Sequence, residues 1–144
     1  MIKVFIDGQA GTTGLQLKKK LTLHPEVELI EIEESKRKDE AERSKLMNEA
    51  DVVFLCLPDA AAIEAVKLVT NPDTVIIDAS TAHRVNDEWT YGFSEISAEH
   101  KHAISKSKRI ANPGCHATGF ISIIYPLVAC SIMPKNYPVT AHSI

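Results

Sequence analysis

The stretch "KVFIDGQAGTTGLQLKKKL", residues 3–21, decides the fold. A short apolar run breaks into three glycines, Gly8, Gly11 and Gly14, spaced three apart, and a leucine-bearing polar segment follows. A strand that ends in a glycine-rich turn and opens a helix presents unpaired N–H groups and a partial positive charge, and glycine lets an anion approach the backbone closely. This arrangement suits a dinucleotide pyrophosphate. The spacing G-x-x-G-x-x-G departs from the commoner G-x-G-x-x-G, and a tight turn with a helix packed on a strand would also call for glycines. Thr12 and Thr13 add hydroxyl donors at the helix start.

Outward from this motif the chain alternates strand and helix. The pattern predicts a strand over Ile2–Ile6, a helix over Thr13–Leu23 ended by His24-Pro25, and a strand over Val27–Ile32. The charged run from Glu33 to Arg43 leads into a helix reaching about Asn48. "DVVFLCLP", Asp51–Pro58, is nearly unbroken apolar sequence, as expected for a parallel strand covered on both faces. A helix over Ala60–Val69, a turn at Asn71-Pro72-Asp73 and a strand over Thr74–Asp78 come next. A polar helix over Ser97–Ser107, a short strand over Arg109–Ala111, a turn at Asn112-Pro113-Gly114 and an apolar helix over Ala117–Cys130 complete the series. The expected fold class is α/β: a Rossmann-like, doubly wound, mostly parallel sheet with helices on both faces and ligands at the carboxyl ends of the strands. After Met133-Pro134-Lys135-Asn136 a fresh strand pattern, "YPVTAHSI", begins and stops at Ile144. The organisation expected is a nucleotide-binding domain over residues 1–133, with 134–144 starting a second, α+β domain that is largely missing.

Composition limits the function classes. With 144 residues, 44% hydrophobic and 24% charged, the chain has the balance of one soluble globular domain. A formal net charge of −3 argues against a nucleic-acid partner. No apolar stretch approaches the ~18 residues that a membrane span needs, and no signal-peptide pattern opens the chain, so a cytoplasmic protein is expected. Three cysteines, Cys56, Cys115 and Cys130, with no CxxC pair, fit a reducing compartment and no zinc site. His100 and His102, two apart on a helix, do not share a face, so no metal site is expected.

The end of the second strand distinguishes NAD, whose ribose hydroxyls call for an acidic residue, from NADP, whose 2′-phosphate calls for basic ones. "EIEESKRK" offers both: Glu33 and Glu34 precede Ser35, Lys36, Arg37 and Lys38. The four phosphate-compatible side chains favour NADPH, although a solvated charged loop has the same composition. Cys115, in "RIANPGCHATGF", follows a strand and turn and precedes a helix, where the helix dipole favours the thiolate that a nucleophilic cysteine needs. Cys56 and Cys130 read as core residues. An incidental small residue after the turn is the bland alternative for Cys115.

"DGQAGTTG", "LCLPD", "DASTAHR", "YGFSE" and "NPGCHATG" occur in the order and approximate spacing of the N-acetyl-gamma-glutamyl-phosphate reductases, especially their shorter type, and the chain resembles that family over essentially its whole length. The resemblance implies NADPH-dependent reduction of N-acetyl-glutamyl 5-phosphate to the semialdehyde, in arginine biosynthesis, with Cys115 as the acylated nucleophile. It implies that Gly8, Gly11, Thr12, Thr13 and Gly14 hold the cofactor, that Leu57 and Pro58 flank its adenine and ribose side, and that Ser80 approaches the nicotinamide. Ser35 and Arg37 would then meet the 2′-phosphate, while His83, Arg84 and Asn112 would lie on the substrate side. It further implies a small-molecule acyl-phosphate substrate, a homo-oligomer when full-length, and a general acid/base histidine beyond Ile144. Ser94 and His116 depart from the family pattern, which carries proline and commonly an aromatic residue there. Aspartyl- or aminoadipyl-phosphate reduction, and a nucleotide-binding module without turnover, remain the alternatives.

Overall fold

The computed structural model describes residues 1–143. Strand β1 spans Ile2–Asp7, β2 Val27–Ile30, β3 Val52–Leu55, β4 Val75–Asp78, β5 Thr90–Tyr91 and β6 Arg109–Ala111. They form one sheet in the order β2-β1-β3-β4-β6-β5, parallel throughout. Helix α1 spans Thr12–Leu21, α2 Glu40–Glu49, α3 Asp59–Lys67, α4 Ala98–Lys106 and α5 Cys115–Ala129, with a single 3-10 turn at Glu34–Lys36. The chain runs from β1 outward to β2 and returns across β1 to β3, so the winding reverses between β1 and β3. From β4 the chain passes to β5 at the sheet edge and turns back inward to β6. The reversal between β1 and β3 opens a crevice at the carboxyl ends of those strands.

Val4, Phe5, Ile6 and Asp7 are all buried, because β1 is central and covered on both faces. On β3 and β4 burial alternates: Val53, Leu55 and Ile76 are inaccessible, while Val52, Phe54, Val75 and Ile77 are half-buried. The core therefore concentrates on one face, where these strand residues pack with Leu46 and Met47 of α2, Ala50 after it, and Ala62 and Ala65 of α3. Alanines on α3 allow close approach to the sheet. In α5, by contrast, no residue is buried, and Phe120, Ile123 and Tyr125 are exposed.

Several elements differ from expectation by one to three residues. β2 stops at Ile30 rather than Ile32, where its ladder to β1 ends at the pairing of Phe5 with Ile30, although β1 itself continues to Asp7. α5 starts at Cys115, two residues before the expected Ala117, which makes the cysteine the first residue of the helix. The "YPVTAHSI" segment forms no strand over residues 137–143, and Ile144 lies outside the described residues. A β-strand is secured by a neighbour's ladder, and no strand of this sheet pairs with the segment.

Asn48, near the end of α2, fixes how α3 returns to the sheet. Its Nδ2 donates to Ser44 O at 2.7 Å and Leu68 O at 2.8 Å, and its Oδ1 accepts from Thr70 N and Asn71 N, both at 2.7 Å. One side chain thus satisfies main-chain groups that end α3. Asn48→Ala leaves them to water or to nothing and is expected to cost about 2 kcal/mol. Urea unfolding followed by far-UV circular dichroism measures it, and Asn48→Asp, which keeps the acceptor but turns a carboxylate oxygen toward the Ser44 and Leu68 carbonyls, should not restore the loss.

Candidate functional site

The glycine turn runs between Asp7, the last residue of β1, and α1. Gly8 has φ +86°, and a Cβ there would lie 2.3 Å from Cys56 O. Gly14 is the buried residue of α1, and a Cβ there would lie 2.3 Å from Gly8 O and 2.7 Å from Gln9 Cα. These two glycines serve packing: one lets the turn cross the end of β3, the other lets α1 approach the turn. Gly11 differs, because its added Cβ would meet nothing nearer than Gly8 O at 3.5 Å. It is the N-cap of α1, and no side chain among the described residues caps that helix. The first-turn N–H groups, with Thr12 and Thr13 exposed beside them, are available to an anion. Lys18, Lys19 and Lys20 in the last turn complement the opposite end of the dipole.

Beside this turn lies a cleft of about 360 Å³ lined by Gly8, Ile32, Arg37, Lys38, Arg43 and Leu57 among others. Arg37 Nη1 pairs with Glu34 Oε1 at 2.6 Å, an exposed ion pair worth little and easily exchanged for another anion. Ser35 is exposed on the 3-10 turn but does not line the cleft, and Pro58 stands outside it as the N-cap of α3. Arg43 was not singled out from the sequence. Its Nε and Nη2 donate to Asp7 Oδ2 at 3.3 and 2.6 Å, which pins α2 to the end of β1 and holds a guanidinium at the cleft wall.

A second depression, of about 450 Å³, is lined by Thr13, Ala79, Arg84, Asn112 and Cys115 with their neighbours. Thr13 belongs to α1, so the helix that opens after the glycine turn also borders the cysteine. Cys115 is exposed and, with Gly114 as N-cap, α5 has no side-chain cap. Cys56 is the opposite case: burial pushes its thiol up, and the carboxylates of Asp7 and Asp78 act in the same direction. Cys130, expected in the core, is exposed at the C-cap of α5 because that helix buries no residue. His116 Nδ1 contacts Ser143 Oγ rather than the thiol.

The segment after β4 is braced from below. Asp78 is fully buried, and its Oδ1 accepts from Ser80 N at 2.9 Å. Its Oδ2 accepts from Ser80 Oγ at 2.7 Å and from His83 Nδ1 at 2.6 Å. The His83 ring stacks on Trp89 with centroids 4.0 Å apart and planes 14° off parallel. Ser80 and His83 are thus both buried and engaged, the hydroxyl and Nδ1 turned toward Asp78. Arg84 donates from Nε to Asn112 O at 3.0 Å and from Nη2 to Ala79 O at 3.1 Å. The Asn112 side chain is exposed and donates only to Pro113 O, at 3.2 Å. Asp59, at the start of α3, accepts from Thr81 N at 2.9 Å and from the Thr81 hydroxyl. Those bonds, the hydroxyl's first, hold its carboxyl below the usual aspartate range, with Arg84 and His83 adding smaller attractions.

No group of three or more histidine, cysteine or acidic side chains among the described residues could hold a metal. No helix among them is long and apolar enough to cross a membrane.

A strand, a glycine turn and a helix without a side-chain cap, at the winding reversal of a parallel sheet, define a dinucleotide-binding type of domain, and the family match makes it that of the semialdehyde dehydrogenases. The chain belongs to that family: residues 3–104 match the model of the semialdehyde dehydrogenase NAD-binding domain. It is 47% identical to N-acetyl-gamma-glutamyl-phosphate reductase 2 of Nostoc sp. over 99% of its own length and 44% of that protein's. It is 48% identical to N-acetyl-gamma-glutamyl-phosphate reductase of Mesorhizobium japonicum, over 99% of this chain and 46% of the relative. The chain spans under half the length of these curated relatives. In fold it is similar to aspartate semialdehyde dehydrogenase with NADP from Candida albicans, with TM-score 0.63, 18% identity, and coverage of 90% of this chain and 47% of that one. The Francisella tularensis aspartate semialdehyde dehydrogenase gives TM-score 0.64 at 14% identity, covering 92% of this chain and 42% of that one.

Two outcomes follow from the geometry. Gly8→Ala and Gly14→Ala each force a backbone shift and should lower the urea midpoint markedly, whereas Gly11→Ala should leave it nearly unchanged. The Asp59 bonds contribute stability that is fully present above the ordinary aspartate range and is lost as pH falls through the lowered value. Asp59→Asn should therefore flatten the acid limb of the stability–pH curve and leave its neutral-to-basic shape intact.

Proposed function

We propose that this chain is the NADP-binding portion of an N-acetyl-gamma-glutamyl-phosphate reductase, with Cys115 as its nucleophile. One observation carries the reading: Thr13, from the helix after the glycine turn, and Cys115 border the same depression. A dinucleotide lying across the first-turn N–H groups of α1 would have its adenosine half toward the basic cleft and its other half toward the thiol. The residues present fit such a group, since Gly11 leaves the approach to α1 open and the cleft carries Lys38 together with Arg37 and Arg43, the latter two paired with Glu34 and Asp7 of the same lining. Gly8, Gly14 and Leu57 shape this path, Thr12 and Thr13 supply donors, Arg37 at the cleft would meet a 2′-phosphate, and Ser35, on the exposed turn beside it, would reach that group from outside the cleft. Pro58 and Ser80 contribute by fixing the strand ends that border it.

In this reading the Cys115 thiolate attacks the acyl carbon of N-acetyl-glutamyl 5-phosphate, the carbon–oxygen bond to phosphate breaks, and a thioester forms. The reduced nicotinamide supplies the hydride. Cys115 then leaves as the semialdehyde is released. Asn112, with an exposed amide beside the thiol, is the substrate-side residue best placed to touch the acyl group. His83 and Arg84 border this side through the brace after β4. The general acid/base and most substrate contacts belong to the remaining length of the longer protein, so the isolated chain binds nucleotide without turnover. Residues 1–133 form the nucleotide domain and 134–144 begin the next one. The whole protein is proposed to be a cytoplasmic homo-oligomer.

Titrating this chain with NADPH and with NADH, following nicotinamide fluorescence, tests the proposal. NADPH should bind more tightly, and Arg37→Ala should weaken NADPH about tenfold while leaving NADH nearly unchanged. Equal affinities, both unaffected by Arg37→Ala, would overturn the 2′-phosphate assignment. For the longer protein, turnover with aspartyl phosphate but not with N-acetyl-glutamyl phosphate would overturn the substrate.

A further inference from the structure

Gly114 and Arg84 compete for one volume. A Cβ built at Gly114 would lie 2.5 Å from Arg84 Nη1 and 3.2 Å from its Cζ. Gly114 has φ −79° and ψ 149°, an extended conformation that any residue adopts. A side chain at 114 would therefore displace the guanidinium rather than strain the backbone. The guanidinium that fills the space is already committed on two edges, to Asn112 O through Nε and to Ala79 O through Nη2. Those carbonyls follow neighbouring strands, β6 and β4, and Asn112 N is tied in turn to Asp78 O at 2.8 Å. The planar fork lies against the Asn112–Gly114 turn, and the next residue is Cys115.

We propose that Arg84 is a positioning residue for Cys115. Its guanidinium, seated in the space left by the absent Gly114 side chain, sets the Asn112–Gly114 turn and so fixes where the thiol opens at the start of α5. The residue before it is anchored as well, because His83 is held between Asp78 and Trp89. A lysine, with one compact ammonium, cannot span both carbonyls in a plane. The proposal rests on Cys115 being the reacting thiol, but its geometry can be tested without substrate or nucleotide.

The probe is iodoacetamide, which is neutral and carries no carboxylate or phosphate for Arg84 to attract. Labelling rates of Cys115 in this chain are followed by peptide mass spectrometry, with exposed Cys130 as internal reference. Arg84→Ala and Gly114→Ala should each slow Cys115 by about threefold or more, with Cys130 unchanged. Combining them should add nothing beyond Arg84→Ala, because the clash is then gone. Should Arg84→Ala fail to fold, Arg84→Lys, of similar length and the same charge, carries the same expectation. Unchanged Cys115 rates, or effects that simply multiply, would overturn the proposal. A failure of the reductase reading, such as activity surviving Cys115→Ala in the longer protein, would leave this coupling untouched, so the two are separable.

Discussion

Two carboxylates at strand ends, Asp7 on β1 and Asp78 on β4, are buried at the carboxyl edge of the sheet, and each must be met by donors from the chain that follows. A buried carboxylate without partners would cost several kcal/mol, so the local chain has little freedom. Asp7 is met by Arg43, which draws α2 against the end of β1. Asp78 is met by Ser80 and His83, which fold the segment after β4 back on itself. Between them lies β3, whose Cys56 thiol is pushed up by burial and by both charges. The two anions thereby shape the two halves of the site: a basic cleft beside the first, a thiol-bearing depression beside the second.

The side chains that end up near the ligand path do different work from what their chemistry suggests in isolation. Arg84 carries a fork suited to carboxylate or phosphate, yet two of its edges hold main-chain carbonyls. Ser80 and His83 carry groups suited to a nicotinamide or a substrate, yet both are committed to Asp78. What remains open to a ligand is sparse: the first turn of α1, the exposed Asn112 amide, the basic cleft and the Cys115 thiol. Buried groups provide rigidity, and the exposed ones beside them are those the proposed chemistry would use.

The sequence made the glycine turn, the strand-helix alternation and the place of Cys115 at a helix start legible, because each depends on local pattern. Burial period identifies strands, and glycines at a strand-helix junction identify the turn. Even so, pattern could not separate the glycines by role: Gly8 and Gly14 answer to crowding by Cys56 and by the turn itself, which only tertiary geometry reveals. Asp7 and Asp78 were missed because a lone acid ending an apolar run gives no local sign of burial, and Arg43 and Asp59 because their partners lie far along the chain. The one signal available for Asp78 was its spacing to Ser80 and His83 within "DASTAHR", which fits a carboxylate capping its own loop. The strand expected in "YPVTAHSI" failed because alternation shows a preference for pairing and supplies no partner. Cys130 was placed in the core by the apolarity of its helix, which turned out to bury nothing.

Nucleotide and thiol, as proposed, share one site. The most direct measurement is the rate at which iodoacetamide labels Cys115 in the presence of saturating NADP, compared with adenosine 2′,5′-bisphosphate, which occupies the adenosine end and lacks the nicotinamide. NADP should slow Cys115 while sparing Cys130, and the bisphosphate should leave both rates unchanged. Demonstrated NADP binding with no protection of Cys115 would contradict the claim and place the nucleotide away from the cysteine.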